Sequence, residues 1–298
     1  MNTDLRVFEE KRKKIKRSSV IMTVIGILGI FIGVLLLLFF EMAVVFVLSL
    51  IVGIILIAVS TIQKQSFLKN IKGSVIETII KSELGDTASY NVNSGINLSD
   101  VIRLGVYQDP DRYHLEDHIS CSYNGVPYEM CDMVLEERHV TRDSNGNRRV
   151  TYEKYFSGRV IKIDFKKVMA FKMKVIEGHP RGLNTHGYHK IDTELIEFNK
   201  KYDTYVNDKE QAYYYLTPLM LQKLLELEKL FKGTIQYVMN GDCFYVLINN
   251  NTDSLEFSIS RPIDDKMINI IRSQISLAAT IINEFGLDSD KFNKNIQI

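Results

Sequence analysis

The chain has no tryptophan and only three cysteines in 298 residues. Cys121, Cys131 and Cys243 are odd in number and form no C-x-x-C pair. That argues against a disulfide framework and fits a reducing compartment. Excess charge is also missing. A net charge of +1 gives no reason to expect a nucleic-acid partner, which would need a strongly basic face. There is no G-x-x-x-x-G-K-[ST] and no G-x-G-x-x-G, hence no phosphate-cradling loop. No G-x-S-x-G elbow occurs either. No repeat or low-complexity segment is present, and no cofactor is expected.

One absence is local. Val20 to Phe40 is apolar apart from Thr23 and glycines, and Met42 to Ile62 forms a second apolar run. Glu41 is the single charge between them. Each run has about twenty residues, which at 1.5 Å rise matches a hydrocarbon core of roughly 30 Å. Backbone polar groups cannot stay unpaired in lipid, so both runs are expected to be helical, with Glu41 in a tight turn at the far interface. A cleaved signal peptide would have a shorter apolar core and no second run directly after it.

The basic residues set the expected orientation. Lys11, Arg12, Lys13, Lys14, Lys16 and Arg17 precede the first run, and Lys64, Lys69 and Lys72 follow the second. The turn has none. Two spans in the cell membrane, with both termini cytoplasmic, are therefore predicted. The six N-terminal cations are also expected to face anionic lipid headgroups, at about 1 kcal/mol per residue near the surface. Gly29 and Gly33 on the first span lie at the same depth as Gly53 and Ser49 on the second. Small residues at matched depth predict close hairpin packing there.

The rest reads as α+β. The expected divisions are a basic N-terminus (1–18), two transmembrane helices within 19–62 (about 20–40 and 42–62) and a stalk helix (63–85). A β-rich first lobe (86–180), an α+β second lobe (190–286) and a tail (287–298) follow. The stalk carries Phe67, Ile71, Val75 and Ile79 at helical spacing. Ser144-Asn145-Gly146-Asn147 and Asn240-Gly241 predict hairpins in a cytoplasmic domain of antiparallel strands packed with helices. Thr217-Pro218 predicts a helix start, Leu255–Ile259 a further strand, and Asp264-Asp265 the opening of a last helix reaching Phe285.

Within the second lobe, several stretches resemble a bacterial family of membrane-anchored proteins known only as domain-of-unknown-function family 3137. They are Glu197-Phe198-Asn199-Lys200-Lys201-Tyr202, Val206-Asn207-Asp208, Gln211-Ala212-Tyr213 and Leu216-Thr217-Pro218 with Met220. Asp111-Arg112-Tyr113, Asp117, Tyr128-Glu129 and Phe156-Ser157-Gly158 match more loosely. The resemblance implies two N-terminal spans before the domain, and brings no activity or catalytic residue. Cys121 stands where such members would have glycine.

His114, His118 and Cys121 are the nearest approach to a metal cluster, but they lack H-E-x-x-H order and a C-x-x-C partner. Solvated loop residues are the expected outcome, with no catalytic or cofactor-binding residue assigned. The expected function is a membrane-anchored, non-catalytic binding or scaffolding domain, with a protein partner, itself or lipid as ligand. The alternative is an enzyme acting on a membrane-proximal or lipid-derived substrate.

Overall fold

The computed structural model describes residues 3–142, 146–165, 167–252 and 254–293. The chain forms two compact units. One comprises Met1–Ile79 with Leu255–Arg272, the other Ile80–Ser254 with Ser273–Ile298.

The first unit is built on α1 (Thr3–Phe40) and α2 (Ala43–Leu84). Only Glu41 and Met42 separate them. Glu41 takes φ 56°, and its N–H bonds the Leu37 carbonyl at 3.1 Å, which reverses the chain in two residues. Both helices are long and apolar enough to cross a membrane. Only 11% of each apolar window is buried, so these side chains face the surroundings, not a protein core. Below the apolar stretch α2 continues without a break, burying Phe67, Ile71, Val75, Ile76 and Ile79.

The expected strand at Leu255–Ile259 does not form; this segment is irregular. Its neighbourhood offers side-chain partners from α1 in place of a ladder, as described below. Asp264 then accepts the Met267 N–H at 2.9 Å and starts α7 (Asp265–Ile275). The last helix expected to run to Phe285 is broken at Ser276, and α8 (Leu277–Phe285) follows.

The second unit contains one nine-stranded antiparallel sheet. Its strands are β1 (Ser89–Asn91), β2 (Arg112–Tyr123), β3 (Val126–Arg142), β4 (Arg148–Asp164) and β5 (Lys172–Glu177), then β6 (His189–Ile191), β7 (Tyr202–Val206), β8 (Thr234–Asn240) and β9 (Cys243–Asn249). The order is β1-β2-β3-β4-β9-β8-β5-β7-β6. The stretches expected as separate lobes share this sheet, because β4 pairs with β9 and β8 with β5. β3 and β4 form a long hairpin; Ser144 and Asn145 of its expected turn lie outside the described residues. The Asn240↔Cys243 pair closes the second predicted hairpin on Gly241-Asp242.

Alternation along the strands fills two cores. Cys131, Met133, Leu135, Val160, Tyr245 and Leu247 face one way, against Val101 and Leu104 from around α3 (Leu98–Arg103). On the other face Tyr237 and Phe244 meet Phe285 of α8 edge-on at 6.5 and 6.0 Å. β8 and β9 are thus buried on both faces, which explains their near-continuous apolar sequence. Thr217 caps α6 (Pro218–Glu228) by accepting the Met220 N–H, with proline at the first helical position.

Candidate functional site

In the first unit the two helices meet along a seam. Ser19, Thr23, Gly26, Ile30 and Gly33 of α1 face Phe46, Ser49, Gly53, Ile57 and Ser60 of α2. Steps of three and four are those of a left-handed helix pair. A Cβ built on Gly26 would lie 2.9 Å from the Gly53 carbonyl oxygen, and one on Gly33 would fall on the Ser49 hydroxyl. Gly33 and Ser49 thus approach closely. Gly29 is not part of this contact, for a Cβ there meets nothing within 4 Å. Gly26 takes its place opposite Gly53. The reason is angular: a seven-residue step from Gly33 stays nearer the same face than a four-residue step. Ser19 and Ser60 hydrogen-bond each other, fully buried, and Thr23 joins them at 3.1 Å.

The same stripe of α1 continues to Arg12 and Glu9. Arg12 Nε and Nη2 donate to the two Glu9 oxygens at 2.8 and 2.7 Å. Arg12 Nη1 donates to the Ile259 carbonyl at 2.5 Å, and Glu9 accepts the Ile263 N–H at 2.9 Å. The backbone of Ile259 and Ile263 is thereby bonded to side chains of α1. Lys72 of α2 pairs with Glu256 on the same segment. The Arg12 guanidinium, helped by the Ile263 N–H, holds the Glu9 carboxyl down at about 2.

Arg12 is thus buried at 6% exposure and does not face lipid. Lys11, Lys13, Lys14, Lys16 and Arg17 are exposed. Arg12 differs from them by angle alone, since it lies seven residues before Ser19 on the seam.

In the second unit, a cleft of about 530 Å³ opens beside β2, β3 and β4. Arg112, His114, Glu116, Glu136 and Lys154 line it, and Asp132 is at its floor. Arg159 donates to both Asp132 oxygens, from Nε at 2.8 Å and from Nη2 at 3.3 Å. The Ser254 N–H reaches Asp132 at 2.9 Å, and the Gln274 carbonyl accepts from Arg159 at 3.2 Å. Gly158 beside it must be glycine: its φ is +156°, and a Cβ would fall on the Ile248 carbonyl oxygen. Arg112 pairs with Glu136 and keeps that carboxyl ionised, below the usual range.

The structure separates the metal candidates. One extra residue in β2 between Glu116 and Ile119 breaks the register with β3. His114 then lies opposite Val134, 3.5 Å from Glu116, while His118 Nε2 meets Glu129 at 2.8 Å on the other face. Cys121 lies opposite Tyr128, its Sγ 3.8 Å from the Leu84 carbonyl oxygen. Glu137, His139 and Glu153 do bring three ligand atoms within 4.8 Å. A cation is already there, as Arg181 pairs with Glu137 and lies 3.5 Å from Glu153.

Sequence reading missed two further charges. Lys174 of β5 is 4% exposed and donates to the carbonyls of Asn184 at 2.6 Å and Gly105 at 3.3 Å. Burial alone lowers its pKa to about 8. Its alternation with Met173 and Val175 gave no hint of this. Arg159 follows Gly158 in an apolar strand, and that was the one available signal.

Fold and site define an apolar two-helix hairpin joined to an antiparallel α+β domain. Residues 154–287 match the family model described as "Protein of unknown function (DUF3137)". No curated protein matches the chain. A solved structure, that of the mycobacterial trehalose monomycolate transport factor A, TtfA, is 10% identical with a TM-score of 0.40. It covers 70% of this chain and 94% of its own.

Proposed function

We propose that the hairpin crosses the cell membrane twice, with both termini cytoplasmic, and holds the α+β domain there as a non-catalytic binding or scaffolding module. The observation that carries this is the inside-out polarity of the hairpin. Ser19 and Ser60 are buried between the helices, while Phe31 and Ile32 are 58% and 54% exposed on the outside. Such a pair is stable where the solvent is lipid, because polar groups there must bond internally. The cations before α1 reaches its apolar stretch and after α2 leaves it support the sidedness.

The Glu9–Arg12 pair adds a specific element. The N-terminal end of α1 grips residues 259–263, so the anchor is bonded to a segment far along the chain. The test is sucrose-gradient flotation of full-length protein from carbonate-washed membranes, followed by protease shaving of intact cells. Flotation with a protected C-terminal part is expected. Protein left in the soluble fraction overturns the anchor, and external cleavage of the domain overturns the sidedness.

A further inference from the structure

Strand β2 pairs with β3 no further than Arg112↔Glu136. Beyond it β3 and β4 run on alone as a ribbon, 137–142 against 148–153. An isolated two-stranded ribbon is marginal in water. Directly opposed residues share a face, so the ribbon has two distinct sides. One carries Glu137, His139 and Glu153, tied together with Arg181.

The other side carries the opposed pairs Arg138↔Tyr152, Val140↔Val150 and Arg142↔Arg148. Val140, Val150 and Tyr152 are 46%, 40% and 41% exposed. Arginines placed directly opposite each other repel. The guanidinium groups of Arg138, Arg142 and Arg148 make no ion pair among the described residues; Asp111 meets Arg138 only through its backbone N–H, at 2.8 Å. The face is therefore cationic around an exposed apolar centre.

We infer that this face of the ribbon docks on an anionic phospholipid surface. The arginines bind phosphate, and Val140 and Val150 enter the boundary between headgroups and acyl chains, with Tyr152, its ring under the Arg112 guanidinium at 3.9 Å, at the headgroup edge. A guanidinium fork matches phosphate oxygens, and a tyrosine suits an interface that is wet on one side and apolar on the other. Nucleic acid or an acidic peptide would satisfy the charges but leave the valines in water. The inference rests on the bilayer-anchored reading, which keeps lipid at high effective concentration around the domain.

The test is hydrogen–deuterium exchange of the full-length chain in liposomes of phosphatidylcholine, with and without phosphatidylglycerol. Residues 137–142 and 148–153 should exchange several-fold more slowly with the anionic lipid, and high salt should reverse much of this. Arg142→Glu/Arg148→Glu should abolish the slowing, and Arg148→Gln should weaken it. Unchanged exchange in β8 and β9 shows that either variant is folded. Equal exchange in both lipids, in a chain that floats, overturns the ribbon inference alone. So does slowing in neutral liposomes by an RNA oligonucleotide or polyglutamate without any effect of phosphatidylglycerol. A chain that does not float overturns both this inference and the anchor.

Discussion

Arg159 grips Asp132 with two prongs, and the two side chains are only 4% and 6% exposed. The Ser254 N–H and the Gln274 carbonyl complete the bonding, so the pair joins β3 and β4 to segments from both sides of the chain's excursion through residues 255–272. Removing one member leaves a buried charge uncompensated. Asp132→Ala should cost about 3–5 kcal/mol, while Asp132→Leu with Arg159→Met should cost far less. Urea unfolding of the solubilised chain measures both. Equal losses would mean that the pair's own attraction, not the stranded charge, sets the cost.

The hairpin seam makes a prediction at three glycines. Gly26→Leu and Gly33→Leu force the helices apart and should each lower hairpin stability by about 1–3 kcal/mol. Gly29→Leu has open space and should change little. Titration with a denaturing detergent, followed by circular dichroism, ranks them. A Gly29 variant as damaged as the Gly33 variant contradicts the seam.

Acid should release the Glu9–Arg12 grip. The folded carboxyl is depressed to about 2 from an ordinary 4.5, so its contribution is fully present above that ordinary value. It fades as pH falls towards about 2. The stability gap between wild type and Glu9→Gln should therefore narrow across this window. A gap that is constant with pH is the contrary result.

Lys174 has the opposite sense. Its folded pKa, about 8, is below the ordinary 10.5, so the unfolded chain binds more protons between those values. Stability should rise as pH climbs through that interval, and the lysine's charge should oppose folding below it. Lys174→Met removes the pH-dependent part and leaves two carbonyls unpaired. Thermal midpoints of the two proteins across alkaline pH show whether the rise belongs to this residue.

Local chemistry was legible. Thr217-Pro218 caps its helix as expected, and Asn240-Gly241 lies in a tight hairpin, because both signals act within a few residues. Leu255–Ile259 has the composition of a strand, yet its neighbourhood is bonded by Arg12 and Glu9 from almost the other end of the chain. The metal candidates failed for a related reason. Residues four apart share a face of a strand only while the register holds, and one extra residue in β2 parts His114 from His118.

Composition and periodicity were enough to find two apolar helices of membrane length, an α+β domain after them and the hairpin at Asn240-Gly241. Each of those depends on the solubility or backbone preference of a short run, taken without regard to the rest. Which glycine meets which helix, which arginine turns inward and which carboxylate it neutralises required the folded chain. Those outcomes depend on helix phase, strand register and contacts across more than two hundred residues, and no local pattern encodes them.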